Sequence, residues 1–267
     1  MRILILSSLL ALSFFNSLSA EINQVSDSKD IVERFMLPNS ELIKPDEPLS
    51  SKPIQEYDFD KDGQNEIIAV YKKKDTQNHL KAMVLKKVRG KWKKIWEIPG
   101  KGFDVERMTI TDITGDGTDD LLIGWMIGAS AGNELEVFQW QGQTLKKIAE
   151  LAYYHKLELL IRDNQTYLAV WQRYCCDTYL VDVLRWDGKK FMLDEEAYSE
   201  YYPIIKKFYE GKIREMDAWF YWYSLADAQI KANLMEEAET SIQKGISFNQ
   251  QNQLFEELQK RIEQKEK

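Results

Sequence analysis

Two runs of acidic residues with one shared spacing are the clearest chemical feature of this 267-residue sequence. The first extends from Asp58 to Glu66 and the second from Asp112 to Asp120, and both fit D-x-[DNT]-x-D-G-x-x-[DE]. Oxygens at positions 1, 3, 5 and 9, with the carbonyl at position 7, suit Ca²⁺, which takes roughly six to eight oxygen ligands. Glycine at position 6 permits the positive φ that a turn around an ion needs. The predicted ligands are Asp58, Asp60, Asp62, Gln64 and Glu66 in the first loop and Asp112, Thr114, Asp116, Thr118 and Asp120 in the second.

An EF-hand is a competing interpretation of these loops. An EF-hand needs a bidentate glutamate at position 12, but the two runs have Ala69 and Ile123 there. It also needs flanking helices, but both runs lead into β-rich sequence. Calcium is preferred to magnesium because a flexible all-protein oxygen cage matches its looser geometry. The remaining alternative is that both runs are ordinary Asp/Gly turns that close β-hairpins.

The loops stand at the start of a repeated strand pattern. Short β-branched and aromatic runs joined by tight Gly-containing turns predict antiparallel hairpins from about residue 50 to 195. The first strands of the three copies are Glu66–Tyr71, Asp120–Trp125 and Thr166–Trp171, the second are Ala82–Leu85, Leu135–Phe138 and Leu180–Leu184, and the turn glycines are Gly90, Gly142 and Gly188. The third copy has Glu158, Leu160, Arg162 and Thr166 at the loop positions. That set cannot cage a cation, so two structural calcium sites are expected.

From about Glu196 the apolar period changes from two to 3.6, which predicts helices. The spacing of one unit resembles a tetratricopeptide repeat, with Trp219, Trp222, Leu225, Ala226, Gln229, Ala238, Ile242 and Gly245 at its large and small positions. The alternative is an ordinary helical hairpin that packs on the β-domain. The expected fold class is α+β, mainly β, with repeated antiparallel meander blades and a small helical C-terminal domain.

The acidic loops followed by Ile-Ile-Ala-Val and Leu-Leu-Ile-Gly resemble the FG-GAP or VCBS repeats of integrin α-chains and secreted bacterial proteins. The resemblance covers roughly residues 50 to 195. It implies propeller-like blades stiffened by calcium, and a role in binding or scaffolding more readily than in catalysis. A closed propeller has about four to eight blades, so three blades favour a partial propeller.

The first twenty residues predict a secretory signal peptide. Arg2 precedes an apolar run from Ile3 to Phe15, and small residues end the segment at Ala20. The run is short for a bilayer span, so a retained anchor is the weaker alternative and no membrane span is expected after cleavage. The expected layout is a signal peptide over 1–20, an N-terminal helix and loop over 21–50, the β-repeat domain over 51–195 and the helical domain over 196–267, all secreted or extracytoplasmic.

Composition excludes several classes of function. Thirty-six basic residues stand against 43 acidic ones, a net charge of −7 without a Lys/Arg-rich stripe, which argues against nucleic-acid binding. Two histidines and two adjacent cysteines exclude a four-ligand Cys/His zinc site. Cys175 and Cys176 leave three possibilities open: a vicinal disulfide that clamps a turn, an intermolecular bond, or free thiols.

One motif is typical of an enzyme. Gly128–Gly132 matches G-x-S-x-G, the nucleophile elbow of α/β-hydrolases, but the sequence after Ser130 predicts a strand where that motif requires a helix. The chain is therefore expected not to be an enzyme. The expected function is an extracytoplasmic binding or scaffold module for a protein partner. The alternatives are a cell-wall or carbohydrate-binding protein and a hydrolase that uses Ser130, and the oligomeric state is left open.

Overall fold

The computed structural model describes residues 27–74, 79–163 and 165–265, so the predicted signal peptide over 1–20 lies outside the described residues. The described chain is mainly β, with antiparallel sheets followed by a helical C-terminal region, which confirms the expected class at that level. Contacts divide the chain into two compact units. One contains residues 1–109, 123–128 and 139–146, and the other contains 110–122, 129–138 and 147–267.

The first sheet follows a helix, α1, over residues 27–33. Its strands are β1 (Ser40–Leu42), β2 (Ile54–Tyr57), β3 (Glu66–Lys73), β4 (Leu80–Val88) and β5 (Lys91–Pro99). They are ordered β1-β3-β4-β5, with β2 also paired to β3. Alternate residues of β3 and β4, including Ile67, Tyr71 and Met83, pack in one core with Val32 of α1. Arg89 and Gly90 both have positive φ, as a tight hairpin between β4 and β5 requires.

The second sheet has the order β6-β7-β8-β9. Its strands are β6 (Asp104–Thr111), β7 (Asp120–Gly128), β8 (Gly132–Gln141) and β9 (Thr144–Tyr154). The second acidic loop connects β6 to β7, just as the first connects β2 to β3. Because β8 begins at Gly132, Ser130 lies in a hairpin turn between strands, without the helix that a nucleophile elbow requires.

The third sheet has the order β10-β11-β12-β13 and is antiparallel throughout. Its strands are β10 (Lys156–Arg162), β11 (Gln165–Arg173), β12 (Tyr179–Trp186) and β13 (Phe191–Leu193). Three of the four positions aligned with the acidic loops, Glu158, Leu160 and Arg162, lie in β10, and Thr166 lies in β11. A strand therefore occupies the place of a cation-binding loop in this copy.

The C-terminal region has the helices α2 (Glu195–Glu215), α3 (Trp219–Lys231), α4 (Met235–Ile246) and α5 (Asn252–Lys265). Asp194 caps α2 by accepting a hydrogen bond from the Ala197 N–H at 2.9 Å. Tyr198 and Tyr209 of α2 pack with Trp171 and Val181 of the third sheet in one core. Helix α2 thus packs on the third sheet. Among the described residues, no helix combines the length and apolarity that crossing a bilayer would need.

Candidate metal centre

The two acidic loops share one hydrogen-bond network around the carboxylate at position 1. In the first loop, Asp58 accepts from the backbone N–H of Asp62 at 3.1 Å and from that of Gly63 at 2.8 Å. At position 5, the Asp62 carboxylate accepts from the N–H of Gln64 at 2.8 Å. The chain therefore turns around the Asp58 carboxylate, and Gly63 takes a φ of +85° that a residue with a Cβ adopts only under strain.

The second loop repeats this network position by position. Asp112 accepts from the N–H groups of Asp116 at 3.2 Å and Gly117 at 2.8 Å, and Asp116 accepts from the N–H of Thr118 at 2.8 Å. The φ of Gly117 is +82°, close to that of its counterpart. The Thr114 hydroxyl also donates to Asp112 at 3.3 Å. The spacing noticed in the sequence thus corresponds to one local conformation that occurs twice.

At position 9 each loop ends in a carboxylate with no exposed surface. Glu66 opens β3 and accepts from the Phe59 N–H at 2.9 Å, and Asp120 opens β7 and accepts from the Ile113 and Thr114 N–H groups at 3.2 Å each. One oxygen of each carboxylate is therefore bound to the start of its own loop. Among the described residues, a group of three acidic ligand atoms close enough to share one ion is found in the first loop and not in the second.

The loops differ at the second oxygen of that buried carboxylate. In the first loop, Oε1 of Glu66 accepts from the Lys86 ammonium at 2.5 Å. In the second loop, Oδ1 of Asp120 is buried and has no hydrogen-bond partner among the described residues. A buried carboxylate oxygen without a partner costs about 1–3 kcal/mol or more, so a cation beside Asp120 would remove a real penalty.

The acid–base properties of these carboxyls follow from the same contacts. Burial raises the pKa of Asp120 to about 7, and the hydrogen bonds from Thr114 and Ile113 lower it only in part. Burial also raises the pKa of Glu66, against the opposing effect of Lys86. The hydrogen bond from Lys86 lowers the pKa of Asp62. Of the two position-9 carboxylates, Asp120 is thus the one whose charged form the protein stabilises less.

The second loop has the residue types that bind a hard cation, although its acidic ligand atoms are less closely grouped than those of the first loop. Asp112, Thr114, Asp116 and Asp120 supply carboxylate and hydroxyl oxygens, the ligand class that calcium takes, and the orphaned Oδ1 of Asp120 is the strongest sign of a missing partner. In the first loop, single ligand atoms of Asp58, Asp60 and Glu66 lie within 4.8 Å of one another. That arrangement could also hold a cation, and Lys86 already contacts Asp60 and Glu66.

Lys86 is the functional residue that the loop motif did not indicate, because it lies twenty positions after Glu66 on another strand. Strand register could have indicated it: Ile67 pairs with Leu85, so Glu66 and Lys86 are the next opposing residues of the β3–β4 hairpin. Side chains of directly opposing residues lie on the same face of a sheet.

The other residues with possible chemistry have structural partners. Cys175 and Cys176 are free thiols, and the turn that contains them is closed by Thr178. The Thr178 hydroxyl and N–H both donate to the Cys175 carbonyl, at 2.7 and 2.9 Å. A disulfide clamp is therefore not needed to hold this turn. His155 accepts from the Arg173 N–H at 3.2 Å, and burial lowers its pKa.

Two comparisons with known proteins find no relative. No protein-family model matches the chain, and a search of curated proteins finds no match. The geometry of the two loops therefore carries the functional proposal.

Proposed function

We propose that this chain is a calcium-stabilised β-repeat protein that acts outside the cytoplasm as a binding or scaffold module for a protein partner. The observation that carries the calcium part is the buried Oδ1 of Asp120, which lacks a hydrogen-bond partner among the described residues at the end of a loop of oxygen ligands. The residues that would hold the ion are Asp112, Thr114, Asp116 and Asp120, with the Thr118 carbonyl. The ion would supply positive charge that the loop lacks and would fix the start of β7.

The role of calcium in this proposal is structural. Its ligands would come from a turn between neighbouring strands, and hydrogen bonds to Asp112 and Asp116 already order the backbone of that turn. An ion that binds the folded state and not the unfolded one raises stability by mass action, with the logarithm of ion concentration over the dissociation constant. The resemblance of the two loop sequences to FG-GAP or VCBS repeats supports a scaffold that such ions would stiffen.

Three of the eight tryptophans are not available to stack on a carbohydrate. Sugar-binding sites commonly use exposed aromatic rings, whereas Trp125, Trp171 and Trp186 are buried in the described structure. The proposal therefore assigns these rings to packing. Retention on a purified cell-wall polymer, at the same level with calcium and with EDTA, would favour the carbohydrate alternative.

Thermal unfolding tests the calcium part. We expect the wild type to melt several degrees higher in millimolar CaCl₂ than in EDTA, and Asp120→Asn to lose that difference. In EDTA the variant should melt no lower than the wild type, because it removes a buried charge. Asp187→Asn is a matched control, since Asp187 also closes an Asp-Gly turn, by accepting from Lys189 and Lys190 at 2.8 Å. A wild type insensitive to calcium would refute the calcium part.

A further inference from the structure

We infer that the ammonium group of Lys86 is the permanent cation of the first loop, in the position that calcium takes in the second, so that the chain binds one calcium ion rather than two. This inference rests on the proposed calcium site of the second loop for its comparison. It replaces the expectation of two equivalent sites with one metal site and one lysine site.

The contacts of Lys86 are those of a cation at the centre of a loop. Its Nζ lies 2.9 Å from Asp60 Oδ1, 2.9 Å from Asp62 Oδ2 and 2.5 Å from Glu66 Oε1. These are the residues at positions 3, 5 and 9 of the motif, three of the four side-chain positions from which calcium ligands were expected. A lysine ammonium has three N–H donors, so the three carboxylates saturate it.

The lysine side chain is held in this position. Only 15% of it is exposed, and its ammonium lies 5.9 Å from the ring centroid of Trp140. The Trp140 ring is stacked on Phe59 with centroids 6.0 Å apart, and Phe59 is itself the residue whose N–H binds Glu66. The ammonium is thus held between the three carboxylates on one side and the Trp140 ring on the other.

A calcium ion in the first loop would have to displace this ammonium. The lysine is anchored in β4 next to Leu85, which pairs with Ile67, so a displaced ammonium would stay near the divalent ion and repel it. It would also lose three charge-assisted hydrogen bonds, which are stronger than neutral ones. Calcium binding at this loop is therefore opposed by both charge and lost contacts.

The second loop has a neutral residue at the corresponding sequence position. When Ala82–Leu85 is aligned with Leu135–Phe138, Gln139 stands where the first copy has Lys86. A glutamine amide cannot neutralise a carboxylate. The copy with a lysine has a fully bonded position-9 carboxylate, and the copy with a glutamine has an orphaned oxygen at Asp120. The copy that has the lysine therefore has no need of an ion at position 9, and the copy that lacks the lysine does.

Calcium stoichiometry tests the inference directly. Calorimetric titration of the full chain with CaCl₂ alone should give one ion for the wild type and none for Asp120→Asn. Asp60→Asn alters a predicted ligand of the first loop only, and it should still bind one ion. A wild type that binds two ions, one of which Asp60→Asn removes, would overturn the inference while leaving the proposed function intact.

Substitution of the lysine provides the second test. In EDTA, Lys86→Gln should melt several degrees lower than the exposed neighbour control Lys87→Gln, because three carboxylates lose their cation. Calcium should restore the melting temperature, and titration should now give two ions. Lys86→Arg retains the charge and should still bind one ion. Equal melting of Lys86→Gln and Lys87→Gln in EDTA, or one ion bound by folded Lys86→Gln, would contradict the assignment.

Chemical labelling keeps the inference testable if Lys86→Gln does not fold. Acetylation of the wild type, followed by mass spectrometry, should modify Lys87 readily and Lys86 slowly, both with and without calcium. Faster labelling of Lys86 on addition of calcium would mean that the ion displaces the ammonium, which overturns the inference. If the wild type binds no calcium at all, the calcium part of the proposed function fails. The role of Lys86 is then decided by its rate of acetylation and by the melting temperatures of Lys86→Gln and Lys87→Gln in EDTA.

Discussion

Gly245 of α4 lies so close to Phe255 of α5 that a Cβ atom built on the glycine would stand 2.1 Å from the phenylalanine ring. Both residues are buried in the helical core with Ile242 and Leu258. The glycine therefore sets how closely the two helices approach, and it accounts for the small residue at this position of the tetratricopeptide-like spacing.

Gly245→Ala should destabilise the protein by about 1–3 kcal/mol, because the added methyl group must push a packed ring aside. Gly211→Ala is the matched control. Gly211 lies inside α2, and a methyl group added there would meet no atom within 4 Å, so alanine should stabilise the helix by up to about 1 kcal/mol through its higher propensity. Urea unfolding of the two variants measures both effects, and a loss of stability in Gly211→Ala equal to that in Gly245→Ala would refute the steric explanation.

Glu97 of β5 should make stability depend on acid pH. Burial alone would raise the pKa of this carboxyl, but hydrogen bonds from Lys94, Lys81 and Tyr71 lower it to about 2, from an ordinary value of 4.5. A lowered pKa in the folded state means that the ionised form stabilises the fold. The contribution is therefore fully present above about pH 4.5 and is lost as the pH falls toward 2.

Glu97→Gln should accordingly lower the free energy of unfolding at pH 7, because Lys94, Lys81 and Tyr71 lose a charged acceptor. We expect a loss of about 1–2 kcal/mol, since water partly screens these interactions. The difference from the wild type should shrink steadily below about pH 4.5. Glu150→Gln serves as the control, because its pair with Lys147 is a surface contact worth about 0.5 kcal/mol or less. A difference that stayed constant from pH 7 to pH 2.5 would contradict the assignment to Glu97 ionisation.

Tyr201 of α2 links the helical region to the third sheet through its hydroxyl. The hydroxyl accepts from Trp171 Nε1 at 3.1 Å and donates to Glu158 at 2.7 Å. Tyr201→Phe leaves the buried indole N–H without its partner, so we expect a loss of about 1–3 kcal/mol. Tyr153→Phe removes a hydroxyl that donates to the Arg173 carbonyl at 3.2 Å from a half-exposed ring, and it should change stability by less than about 0.5 kcal/mol. Equal effects of the two variants in chemical denaturation would rule out the linking role.

The sequence predicted local features better than long-range ones. The expected strands at Glu66–Tyr71 and Asp120–Trp125 lie within β3 and β7, because β-branched alternation and glycine turns act over a few residues. For the N-terminal segment over 21–50 the sequence predicted a helix without exact bounds, and the structure has helix over 27–33, because helix ends depend on local capping.

The acidic loops show where this limit lies. Nine consecutive residues determine the turn geometry of each loop, and Gly63 and Gly117 both have the expected positive φ. The cation of the first loop comes from Lys86, which reaches the loop only through strand pairing, and pairing over that separation is not visible in a motif. Likewise, the motif gives no sign that Asp120 is more in need of a partner than Glu66. That difference depends on burial and on a neighbour supplied by the folded sheet.

A cation that is part of the polypeptide cannot dissociate. Lys86 is supplied to its carboxylates at a fixed local concentration that neither dilution nor a chelator can change. The strands joined by the first loop would then be equally ordered in calcium-poor and calcium-rich surroundings, while those joined by the second loop would respond to the supply of the ion if it binds calcium as proposed. Two loops of one shape would in this way differ in function: the rigidity of the first would be independent of calcium, and the rigidity of the second would rise with the calcium concentration around the protein.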